Sequence, residues 1–97
     1  MIQIRYSSLK QLEISGNVDG LQMIQQTLLN LARSGSSGIT EIFADPLSDP
    51  APYDRALLKL TIQVGQGPTI IAVPDNNSVL IMGSPDNLER LASFFDF

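Results

Sequence analysis

The sequence predicts an α+β two-layer sandwich, an antiparallel or mixed sheet of five to six strands with two helices packed on one face. Three observations carry that expectation. Apolar residues recur at helical spacing in two stretches, near 18–33 and 85–94, and alternate with polar residues at period 2 between them. Glycine- and proline-containing turns separate the alternating segments by hairpin lengths, which makes neighbouring strands antiparallel and gathers the helices on one side. A strand–glycine–helix unit also stands at both ends of the chain. Residues 12–21 align without gaps on 79–88, and the register continues through Ile24 with Leu91 and Leu28 with Phe95.

Taken in order, 11–15 is the first strand proper, paired with 2–6 through a turn near Ser7 and Ser8. A helix follows over 18–33, with Asn17 as N-cap and Asp19 in the first turn, where a carboxylate meets the positive end of the helix dipole. Leu21, Ile24, Leu28 and Leu31 form its core stripe, and Gln22, Gln25, Gln26 and Asn30 make a polar, uncharged opposite side. The run Ser34-Gly35-Ser36-Ser37-Gly38 ends it. Residues 39–44 form a strand. Leu58, Leu60, Ile62 and Val64 alternate with Lys59, Thr61 and Gln63, the pattern of a strand with one face in the core. The turn 65–68 reads as a hairpin connection to 69–73, and 74–77 leads to 79–82. The four strands therefore form a meander. Ser84 then caps a helix over 85–94, with Pro85 in the first helical position and Leu88, Leu91, Ala92 and Phe95 apolar.

The 97 residues read as one domain, 1–97, able to bury roughly 60–70% of the surface its unfolded chain exposes. There is no cysteine, no histidine and no tryptophan. The commonest general base, the thiolate nucleophile and the commonest transition-metal ligands are thus missing, and the chain reads as a non-enzyme. Six Lys and Arg against ten Asp and Glu, a formal net charge of −4, argue against nucleic-acid binding, which needs a dense basic face. No run approaches the roughly 18 apolar residues of a membrane span, and the N-terminal residues lack the apolar core of a signal peptide, so the expectation is a cytoplasmic protein with no membrane contact.

One segment departs from the regular scheme. The connection 45–55 carries Pro46, Pro50 and Pro52 beside Asp45, Asp49 and Asp54, and is long for a link between neighbouring strands. Its prolines restrict the free ensemble, so less freedom is lost on ordering against a partner. Asp45, Asp49, Tyr53, Asp54 and Arg55 are the candidate partner-binding residues, with Tyr53 as anchor and the carboxylates steering a basic partner. A solvated loop kept soluble by its aspartates is the plain alternative. No metal or cofactor is expected. Calcium loops bend around a glycine where this segment has prolines, and Gly65-Gln66-Gly67 lacks the third glycine and following helix of a dinucleotide site. A serine–lysine dyad would need Lys10 or Lys59 desolvated beside a serine, whereas Lys59 sits on the polar side of its strand. The helix starts at Gly16-Asn17 and Gly83-Ser84 stand beside Asp19 and Asp86, which repel anions.

Residues 12–21, the helix ending Leu28-Leu29-Asn30-Leu31-Ala32, and the later order of Asp45-Pro46, a variable loop and a strand beginning near Leu57-Leu58 together resemble the thirty-second numbered class of immunity proteins of bacterial polymorphic toxin systems. The resemblance covers roughly the first two-thirds of the chain. It implies a small cytoplasmic protein that binds and neutralises a cognate toxin, without catalytic residues. Members often carry histidines just before the Asp-Pro pair; here those positions are Ile42, Phe43 and Ala44, and no histidine role carries over. The alternative is a structural or assembly subunit whose partner is a second copy, joined through a sheet edge or through Phe94, Phe95 and Phe97.

Overall fold

A computed structural model describes residues 2–7, 11–34, 38–45, 55–75 and 77–95. Their order is β1 (Ile2–Tyr6), β2 (Leu12–Gly16), α1 (Val18–Ser34), β3 (Ile39–Phe43), β4 (Arg55–Leu57), β5 (Lys59–Val64), β6 (Ile70–Ala72), β7 (Ser78–Gly83) and α2 (Pro85–Ala92), with a final 3-10 turn at Ser93–Phe95. The α+β class and both helices are those the periodicity predicts. The β1–β2 pair is also the expected one, antiparallel from Ile2↔Gly16 to Tyr6↔Leu12 and closed by Ser7 N–H donating to Gln11 O at 2.9 Å.

The strands divide differently from the single sheet of five to six expected. The described residues hold seven, in the orders β2-β1-β4 and β3-β5-β7-β6. The segment 55–64 serves both sheets: β4 lies on β1, and β5 lies between β3 and β7. The switch falls at Leu58, where the N–H groups of Leu58 and Lys59 both donate to Asn77 O, at 2.8 and 3.1 Å. Strands that change sheet do so at such bends. The change of sheet also moves the alternation by one residue, which is why Leu57 is fully buried while Leu58, expected at the head of the core-facing row, is 42% exposed.

A second correction concerns the meander. β5 runs parallel to β7, from Lys59↔Ser78 to Val64↔Gly83, and β6 pairs antiparallel with the far side of β7. Residues 65–69 are therefore a crossover around the end of β7 and not a hairpin. Gly65 N–H donates to Gly83 O at 2.8 Å, and Gly67 O accepts from Ser84 N–H at 3.2 Å and from Asn87 Nδ2 at 2.8 Å. Two glycines permit this route. Gly67 has φ +86°, a left-handed conformation, and a Cβ on Gly83 would stand 3.3 Å from the Thr69 Cα.

Both helices pack into one core. Ile24, Leu28 and Leu31 of α1 and Leu88 and Ala92 of α2 meet Leu60, Ile62, Val79 and Ile81 of the central strands, with Ile2, Ile4 and Leu57 continuing the cluster. Complete burial of each Ile or Leu contributes about 1.5–3 kcal/mol. The expected caps are in place: Asn17 Oδ1 accepts from Gly20 N–H at 2.8 Å, and Ser84 Oγ accepts from Asn87 N–H at 3.4 Å. α1 lies alongside β3 in the opposite direction. Its first turns, at Gly20 and Met23, reach Ile42 and Phe43, and its far end sets Leu31 Cδ2 at 2.8 Å from where a Cβ on Gly38 would be.

Candidate functional site

The described residues include two of the five expected binding residues. Asp49, Tyr53 and Asp54 lie outside them. Asp45 is half-buried and donates its N–H to Ile2 O at 2.9 Å, which ties the start of the 45–55 connection to the first residue of β1. Arg55 was expected in that connection but opens β4, opposite Tyr6, with its guanidinium carbon 5.3 Å from the Tyr6 ring centroid. That stacking is a cation–π contact within the chain. Asp45 and Arg55 thus stand at opposite ends of β1, about 13 Å apart at 3.3 Å per residue, and do not share one patch.

The four-stranded sheet presents a different surface. Among the described residues no strand pairs with the outer side of β3. Val64 N–H donates to Gly38 O and Ala44 N–H to Leu58 O, both at 2.8 Å, so residues 38, 40, 42 and 44 exchange hydrogen bonds with β5. Antiparallel ladders alternate, and the N–H and C=O groups of Ile39, Glu41 and Phe43 consequently point away from the sheet. The side chains of Ile39 and Phe43 are 62% and 65% exposed.

Beside this edge, a recess of about 200 Å³ opens between α1 and β3, lined by Ile2, Asp19, Gly20, Met23, Ile42 and Phe43. Gly20 is buried and contributes backbone alone, so the helix wall is set back at that point. Met23, Ile2, Ile42 and Phe43 make the recess apolar, and Asp19 is the one charged residue among the described residues that line it. Asn17 Oδ1 caps the helix, and Asp19, exposed in the first turn, lines the rim.

Elsewhere on the four-stranded sheet, polar side chains pair with one another. Lys59 Nζ pairs with Glu41 Oε2 at 2.7 Å across the β3–β5 ladder. The hydrogen bond and charge of Glu41 raise the Lys59 pKa above its ordinary 10.5. Lys59 is the register partner of Ser78, the arrangement a serine–lysine dyad would need, yet its proton is held more tightly than usual and the Ser78 hydroxyl donates to Asp75 Oδ1 at 3.0 Å. Both features oppose a lysine base. Asp75, which also accepts from Asn77 N–H at 2.8 Å, has its pKa lowered, first by that backbone bond and then by Ser78. Among the described residues no group of three or more carboxylates is placed to hold a metal ion, and no helix is long and apolar enough to cross a membrane.

Neither the open edge nor the recess was among the expected site residues. One signal was present in the sequence: segment 39–44 is apolar at both parities, Ile39 and Phe43 on one and Ile42 and Ala44 on the other, which a strand with one solvated face does not require. Comparison with protein-family models, curated proteins and solved structures finds no match.

Proposed function

We propose that this chain is a non-catalytic protein-binding domain of the immunity type, which acts in the cytoplasm by binding and neutralising a cognate bacterial toxin. The observation that carries the binding reading is the β3 edge, unpaired among the described residues, with exposed Ile39 at one end and exposed Phe43 at the other, next to an apolar recess. An unpaired strand edge of this length is a template for pairing with another chain. Asp45, the first residue of the acidic connection, stands two residues beyond β3, and the net charge of −4 suits a basic partner. The toxin assignment draws on the resemblance of residues 12–58 to immunity proteins.

Co-expression with the product of the adjacent gene tests this reading. The expected result is a stable complex and relief of toxicity, both weakened when Asp45, Asp49 and Asp54 are replaced together by asparagine. No complex and no relief would remove it. The alternative is self-association through a sheet edge or the C-terminal aromatic residues, favoured by the exposure of Phe94, 78%. Light scattering across a concentration series, repeated with Phe94→Ser, separates the two: a concentration-dependent dimer that the substitution dissolves supports the alternative.

A further inference from the structure

We propose that the partner binds by adding an extended segment to β3 as a new edge strand, with one aliphatic side chain in the recess and a Lys or Arg two residues away facing Asp19. This rests on the protein-binding reading and specifies its mode. Three features of the β3–α1 groove support it together. The outward N–H and C=O groups of Ile39, Glu41 and Phe43 offer a ladder for a strand of about five residues. The recess between Met23 and Phe43 lies on the helix side of that ladder, where every second side chain of an added strand would point. Among the described residues that line it the one charged group is the Asp19 carboxylate, in a chain with net charge −4, which selects a basic residue close to the apolar one.

The geometry also disfavours a second copy of the chain as occupant. Antiparallel pairing of all five β3 residues with their own copy about a two-fold axis sets Glu41 opposite Glu41, and like charges directly opposite destabilise a pair; registers that avoid this shorten the ladder. The other open edge of the sheet, β6, is three residues long with Pro68 and Pro74 close to either end, so it offers a much shorter ladder.

The probe is a synthetic peptide of sequence Thr-Lys-Thr-Leu-Thr-Lys-Thr, blocked at both ends. It reads the same in both directions and places Lys, Leu and Lys on one face of a strand. Titration followed by amide chemical shifts and hydrogen exchange is expected to slow exchange at Ile39, Glu41 and Phe43 and to shift Gly20, Met23 and Ile42. N-methylation of the threonine amides, which face β3 in antiparallel addition, is expected to weaken binding at least about tenfold, as loss of several hydrogen bonds demands. Exchange of both Lys for Glu is expected to weaken it by several-fold.

In the protein, Glu41→Pro removes one outward N–H without touching the β5 ladder and is expected to abolish peptide binding; Glu41→Thr keeps the N–H and is expected to retain it. Met23→Lys, at an exposed position on α1, replaces an apolar recess wall by a charge and is expected to abolish binding even should Glu41→Pro fail to fold. Perturbations confined to another surface, or indifference to N-methylation, would overturn the proposal. So would protection of the Ile39, Glu41 and Phe43 amides in a free protein of doubled mass, which would identify a second copy as the occupant. A neighbour-gene complex that forms undiminished with Glu41→Pro and Met23→Lys overturns strand addition and leaves the binding reading standing. Absence of any such complex strikes the immunity reading alone, since the peptide titration does not depend on it.

Discussion

The two edges of the four-stranded sheet are built to different standards. On the β3 side, α1 runs alongside the strand and covers its inner face, so Ile42 is 6% exposed. On the β6 side the corresponding inward residue is Ile71, in the same row as Ile62 and Ile81, and it is 53% exposed. The β3 edge is five residues without proline; the β6 edge is three, with Pro68 and Pro74 nearby. Shortness and proline are the usual means of blunting an edge against unwanted pairing. One edge is protected by its own brevity and the other is stiffened by a helix and left long, the arrangement expected where pairing with a partner is wanted.

The largest test of this contrast is a matched pair of truncations. Ile42→Ala removes a buried side chain beneath α1 and is expected to cost about 2–5 kcal/mol in urea unfolding. Ile71→Ala, in the equivalent inward position on β6, is expected to cost less than about 1 kcal/mol, because half of its side chain already meets water. Equal losses would mean that β6 is covered as well as β3 and would erase the difference between the edges.

A middle-sized effect isolates the β6 side. At Gly83 an added Cβ meets Thr69 Oγ1 at 3.2 Å and the Thr69 Cα at 3.3 Å. The backbone of the crossover cannot retreat as a flexible side chain would. Gly83→Ala is therefore expected to cost about 1–3 kcal/mol, and to speed amide exchange across Ile70–Ala72 while leaving β3 unchanged. Gly67→Ala, which forces a side chain into φ +86°, is expected to cost about 1–2 kcal/mol with the same local signature. Spread of either effect to β3 would show that the edges open as one unit.

The features read correctly from the sequence are local ones. The alternation of Leu60, Ile62 and Val64, the stripe of Ile24, Leu28 and Leu31, and the caps at Asn17 and Ser84 each depend on neighbours within a few residues, and each is where the periodicity places it. Pairing order depends on contacts far apart in the chain. The glycines at 65 and 67 suit a crossover around β7 as well as a hairpin, so turn chemistry does not separate a meander from the observed β5-β7-β6 order. The same reasoning explains Arg55: three residues of strand against Tyr6 leave no period to detect. The recess was invisible because it joins residues 2, 19–23 and 42–43, none chemically distinctive alone. Of the acidic connection, only its first residue and Arg55 bear on the comparison, since 46–54 lie outside the described residues.

The smallest expected effect separates the edges by pH. Asp75 holds the turn between β6 and β7, and its carboxyl is kept below the ordinary 3.8 by Asn77 N–H and the Ser78 hydroxyl. A lowered folded-state pKa stabilises the fold above the unfolded value, and the contribution disappears as pH falls through the folded one. Asp75→Asn is thus expected to be less stable than the parent at neutral pH, with the gap closing below 3.8. Lys59 acts on the β3 side with the opposite sign. Its pKa is raised above 10.5 by Glu41, so its contribution is complete below 10.5 and is lost as pH rises through the folded value. Lys59→Met is expected to show its gap at neutral pH and to lose it only in strong alkali. Both groups are solvent-exposed, so both gaps should be smaller than those of the glycine variants and should shrink in salt. Circular-dichroism unfolding from acid to alkali reads the two windows directly. Closure of both gaps at the same end of the pH range would mean that Asp75 and Lys59 act mainly through each other, and that the turn beside β6 and the ladder beneath β3 are electrostatically one site.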